Sequence, residues 1–112
     1  EGAVAMIQDG RWLHEPHPVQ WQIMPRYAFP LAMRRDAESG LAAVLMAPQR
    51  DCFAVATPYR GEGHRSLYLS LFGEDVKAGQ TATARARLVI AASLTDAQAA
   101  ARYQDYLAEI GA

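Results

Sequence analysis

Three histidines and a small set of arginines and aromatic rings are the residues of this chain that could do chemistry. His14 and His17 stand in the run His14-Glu15-Pro16-His17, a spacing that can supply two metal ligands. Pro16 and Pro18 forbid the regular helix that would aim both imidazoles at one ion, and a zinc site needs further ligands. The plain reading is a polar loop. The loop Arg60 to Arg65 carries two glycines, Gly61 and Gly63, and then His64, with Tyr59 before it and Tyr68 after it. Rings that stack on a pyranose and an imidazole or guanidinium that bonds its hydroxyls are the furniture of a sugar site. The plain reading here is a solvated connection. Thr81, Thr83, Arg85 and Arg87 alternate, so one strand face would hold all four, either as a polar binding surface or as an ordinary wet face. Glu74 and Asp75 form an adjacent acidic pair, readable as an acid/base pair or as a turn. Trp12, beside Arg11 and His14, is the tryptophan expected near a ligand; Trp21 shares its parity with Val19 and Ile23 and is expected in the core.

The elements that must position these residues are mostly strands. Alternation predicts strands over Val19–Met24, Tyr27–Arg34, Cys52–Tyr59, Ser66–Phe72 and Thr81–Ile90, and a further edge strand over Glu1–Ile7. Asp9-Gly10, Asp36–Gly40 and Pro48–Asp51 read as turns. Pro30 confines its strand to an edge or a bulge. Leu41–Ala47 is apolar on both faces, the mark of a central strand covered on both sides. In the last two strands the expected inward sets are Leu67, Leu69 and Leu71, and Ala82, Ala84, Ala86, Leu88 and Ile90. Thr95 and Gln98 match a capping box, and Ala99, Tyr103, Tyr106, Leu107 and Ile110 then recur at helical spacing until Gly111. About seven strands and one amphipathic helix over roughly 95–110 result. The small alanines before Leu88 suggest a bulky neighbour, with Tyr103 and Tyr106 as candidates.

The chain has 112 residues, 51% of them hydrophobic, which suits one domain with a real core. A formal net charge of -1 gives no electrostatic reason for nucleic acid or an anionic membrane as partner. The single cysteine, Cys52, opens an apolar run and reads as a buried hydrophobe. No G-x-S-x-G, phosphate-binding loop, G-x-G-x-x-G or paired C-x-x-C occurs, so acyl transfer, nucleotide and redox-cofactor chemistry lack sequence support, and no cofactor is expected. The chain opens on Glu1, which reads as a processed product or a fragment of a longer protein.

The run from Asp51 to Ile90, followed by the helix, resembles the C-terminal part of bacterial proteins with the galactose-mutarotase-like sandwich. The matching elements are His64, Ser66 and Tyr68, then Gly79 and Thr81, then Tyr103 and Tyr106. The resemblance implies an all-β antiparallel sandwich, whole or half of a larger one, that binds or processes a sugar on a concave sheet. His64 would be the catalytic acid, and Tyr59, Arg60, Tyr68, Arg85, Arg87 and Trp12 the substrate-binding set. If catalytic, such a protein would be a glycoside-processing enzyme, an epimerase or hydrolase. A second chain or a homo-oligomer would complete the sheets. The rival expectation is an immunoglobulin-like module with no chemistry of its own, used for interaction or assembly.

Overall fold

The computed structural model of the chain describes residues 21–24, 29–58 and 66–112. Six strands and one long helix occur among them: β1 (Trp21–Met24), β2 (Leu31–Arg35), β3 (Leu41–Met46), β4 (Cys52–Pro58), β5 (Tyr68–Leu71), β6 (Arg87–Ala92) and α1 (Asp96–Ile110). They form two antiparallel three-stranded sheets, ordered β1-β4-β5 and β2-β3-β6, which approach one another at β3 and β5. The sequence-predicted strand over Glu1–Ile7 and the turn at Asp9-Gly10 lie outside the described residues.

Local chemistry explains most boundaries. Asp36–Gly40 closes the β2-β3 hairpin: the Ser39 amide donates to Asp36 Oδ2 at 2.9 Å, and Gly40 takes φ +73°, where a side chain would be strained. Pro30 immediately precedes β2, and β2 is indeed an edge strand, paired only with β3. Helix α1 starts as its sequence demands. Thr95 Oγ1 accepts from the Gln98 amide at 3.1 Å, and Gln98 Oε1 accepts from the Thr95 amide at 2.9 Å. Such a cap contributes about 1 kcal/mol. Gly111, at φ +69°, ends the helix in the left-handed region.

The core is the seam between α1 and the β2-β3-β6 sheet. Partners opposite one another in an antiparallel pair share a face, so the register Met33↔Val44↔Val89 puts Leu31, Met33, Ala42, Val44, Met46, Val89 and Ala91 under the helix. Ala99, Tyr103 and Tyr106 of α1 are buried on this surface, and Leu107 and Ile110 pack at its margin. Tyr103 is fully enclosed; its hydroxyl donates to the Ala47 carbonyl at 3.2 Å, and its ring meets that of Phe29 with centroids 5.7 Å apart. Cys52 is buried, as its place in an apolar run suggests.

Three expectations are corrected. The last strand is Arg87–Ala92, not Thr81–Ile90; residues 81–86 alternate in chemistry but pair with no strand among the described residues. Leu88 and Ile90 do not face inward. They are 57% and 64% exposed, while Val89 and Ala91, on the opposite parity, lie under the helix. The reason is volume: two tyrosines from α1 already fill the inner layer, and the smaller residues of β6 are those that fit beneath them. Finally, β3 is central but only partly covered on the face away from α1, where Leu41 is 46% exposed and Ala43 and Leu45 are half-buried.

Candidate functional site

The face of the β2-β3-β6 sheet turned away from α1 is left partly open by the described residues. It carries Leu41, Ala43 and Leu45 from β3 and Leu88 and Ile90 from β6, again by register. Leu67, just before β5, closes one side, and Arg34, Arg35, Asp36 and Ser39 form a polar rim at the β2-β3 hairpin. Together they bound an open, predominantly apolar cleft of about 470 Å³. Leu88 and Ile90 are more than half exposed beside the small side chain of Ala43. Isolated exposed apolar residues are unremarkable, but a contiguous patch rimmed by charges marks a surface that meets something.

The arginines of the sequence-derived site serve the other face. Arg87, opposite Met46 in the register, lies on the helix side rather than on an outward sheet face, which corrects its assignment to the wet face. Its guanidinium stands 4.5 Å from the centroid of the Tyr106 ring and donates to Glu109 Oε2 at 2.6 Å. The backbone amide of Arg85 donates to Asp51 Oδ2 at 2.9 Å, and its guanidinium reaches the Ile110 carbonyl at 3.4 Å. At the far end of the same helix, Arg35 donates to the Leu94 carbonyl at 3.0 Å and pairs with Asp96. Arg35 and Asp96 thus hold the start of α1, and Arg85, Arg87 and Glu109 hold its end; Asp96 near the N-terminus and Arg85 near the C-terminus are the charges placed favourably for the helix dipole.

The Arg87 hydrogen bond holds the Glu109 carboxyl below the usual carboxylate range, and the same bond raises Arg87. The folded value of Glu109 is therefore lower than its unfolded one. The contact contributes in full above the unfolded value, fades as the unfolded chain protonates first, and is gone below the folded value. Both groups are solvent-screened, so the expected effect is small. Thermal melts of wild type and Glu109→Gln should differ slightly at pH 7, and the difference should shrink as the pH falls through the folded value of Glu109; a difference that does not change with pH would contradict the assignment.

Tyr68 lies on β5 opposite Ala56, with 46% of its surface exposed. It lines neither the apolar cleft nor the second cavity near Gly73, and neither do Arg85 and Arg87. Among the described residues the sequence-derived set is therefore spread out rather than gathered. Tyr59, Arg60, His64, Trp12, and the His14-His17 pair lie outside the described residues. Among the described residues there is no cluster of three or more His, Cys, Asp or Glu that could hold a metal, and no helix long and apolar enough to cross a membrane. Glu74 and Asp75 sit in the connection after β5, where the Glu74 amide donates to the Phe72 carbonyl at 2.8 Å, a tight turn.

Sequence reasoning missed the apolar cleft. The signal was present: β3 and β6 are largely apolar on both faces, and the described residues offer one amphipathic helix, enough to cover one face. No family model matches the chain, and neither curated proteins nor solved structures include a match to it.

Proposed function

We propose that the chain is a non-catalytic assembly module that associates with a second copy of itself through the partly open face of its β2-β3-β6 sheet. The observation that carries the reading is the shape and composition of that face. Leu88 and Ile90 are more than half exposed and line one apolar cleft together with the small Ala43 and with Leu67. A two-fold axis requires self-complementarity, in which residue i meets j while j meets i. In such a pair Leu88 and Ile90 of each copy would enter the cleft of the other. The rim is mixed in sign, with Arg34 next to Asp36, so a two-fold can set opposite charges together at the hairpin ends.

Two sheets stacked face to face sit about 10 Å apart, and the helices would lie on the outside of such a pair, clear of the contact. Each copy would then supply half of a sandwich. A face of five or six apolar side chains is small for a permanent dimer, so weak association, in roughly the micromolar range, is expected. Sedimentation velocity across a concentration series tests it. A weight-average mass rising from one chain toward two supports the reading, and a mass of one chain at every concentration rejects it.

A second reading, sugar binding, rests on the exposed ring of Tyr68 on β5 together with the likeness of the His64-Ser66-Tyr68 run to mutarotase-like proteins. Calorimetry against mono- and oligosaccharides discriminates it: saturable heat lost in Tyr68→Ala favours this reading, and no heat above buffer removes it.

A further inference from the structure

Backbone irregularities converge on one cavity away from the apolar cleft. Strand β4 carries one extra residue, Phe53, between Cys52, which pairs with Leu71, and Ala54, which pairs with Ser70. Such a bulge re-aims the side chain it carries. The Phe53 side chain is laid against Gly73 so closely that a Cβ added there would stand 2.3 Å from the ring's Cγ. Next to it Phe72 takes φ +58°, a region that bulky residues occupy only when their surroundings impose it, at about 1–3 kcal/mol. Phe72 keeps half of its surface exposed. Both phenylalanines, with Arg50, Asp51, Glu74 and Thr83, line a cavity of about 310 Å³.

The charges of the lining do not cancel. Arg50 Nε stands 3.7 Å from Asp51 Oδ1, while Asp51 Oδ2 takes the Arg85 amide at 2.9 Å. Asp51 is thereby engaged at both oxygens, one of them by Arg50, the only cation among the described lining residues. Glu74 has no hydrogen bond or ion pair from its carboxylate among the described residues and is left as the unbalanced charge. One carboxylate without a counter-charge, beside two phenyl rings, is the donor set for a cation with an apolar skin, since ring faces attract positive charge and exclude a strongly hydrated anion.

We propose that this cavity binds a small alkylammonium ion, with Glu74 as its counter-ion and Phe53 and Phe72 as its aromatic walls. Inorganic anions find only a guanidinium already paired. A neutral sugar would leave the Glu74 charge unbalanced.

The test is a titration of the ¹⁵N-labelled chain with tetramethylammonium chloride at constant ionic strength, with sodium chloride, sodium acetate and glucose as parallel arms. Saturable shifts confined to the amides of Gly73, Glu74 and Thr83, weakened five-fold or more in both Glu74→Gln and Phe72→Leu, are expected. Thermal melts of Glu74→Gln should match wild type, since that side chain holds nothing in place. The proposal is overturned if tetramethylammonium gives no saturable shift, if Glu74→Gln binds it as well as wild type, or if acetate or glucose shifts the same amides at lower concentration.

Discussion

Replacing Leu88 and Ile90 together by lysine is expected to hold the chain monomeric at concentrations where wild type pairs, and to leave its melting temperature within a few degrees. Both side chains are more than half exposed, so the substitutions remove little buried area from the monomer. In the dimer they would place two ammonium groups per copy in an apolar cleft, where an unpaired charge is costly enough to raise the dissociation constant at least a hundredfold. Val89 supplies the control. It lies one residue away but under the helix, so Val89→Ala should lower stability by about 1 kcal/mol or more and leave the dissociation constant unchanged. If the double lysine variant instead unfolds, Leu88 and Ile90 belong to the core, and the partly open face is not an interface.

The largest stability effect is expected at Tyr103. Its side chain is almost wholly enclosed between α1 and β3, and burial raises its phenol above the usual value. Tyr103→Ala removes a large ring from the centre of the seam and is expected to cost about 3–5 kcal/mol, enough to detach the helix in a domain of this size. Tyr103→Phe keeps the ring but strips the buried Ala47 carbonyl of its donor, at about 1 kcal/mol. Tyr106 gives the opposite sign. Its hydroxyl is buried and has no partner among the described residues, so Tyr106→Phe should be neutral or mildly stabilising. Urea unfolding followed at the helix band checks all three; a Tyr103→Ala loss under 1 kcal/mol would mean that the seam is not the core.

How far these features are legible in the chain depends on where their information lies. The helix is written locally: Thr95 and Gln98 fix its start, Gly111 its end, and the spacing of Ala99, Tyr103 and Tyr106 its buried face. The hairpin at Asp36–Gly40 and the edge position of β2 follow from turn chemistry and from Pro30 in the same way. Strand β6 is different. Arg87-Leu88-Val89-Ile90-Ala91-Ala92 is apolar on both parities, so alternation announces a strand without saying which face is covered. The larger residues suggest the inner face, and the register places the smaller ones there, because the partner layer is already filled by tyrosines. Arg87 misleads for a related reason: its guanidinium stays partly wet while the side chain lies across the Tyr106 ring, so a charged residue occupies a core-side position. The cavity beside Gly73 depends on a bulge at Phe53, a register shift with no local signature in the sequence.

The central claim is that Leu88 and Ile90 of one copy enter the cleft of another. Isotope-filtered NOE spectroscopy on a mixture of ¹³C-labelled and unlabelled chains tests it most directly. Contacts from the Leu88 and Ile90 methyls of one copy to the Ala43 and Leu45 methyls of the other are expected. A mixture that shows no intermolecular contacts at these methyls, at a concentration well above the micromolar range, would contradict it.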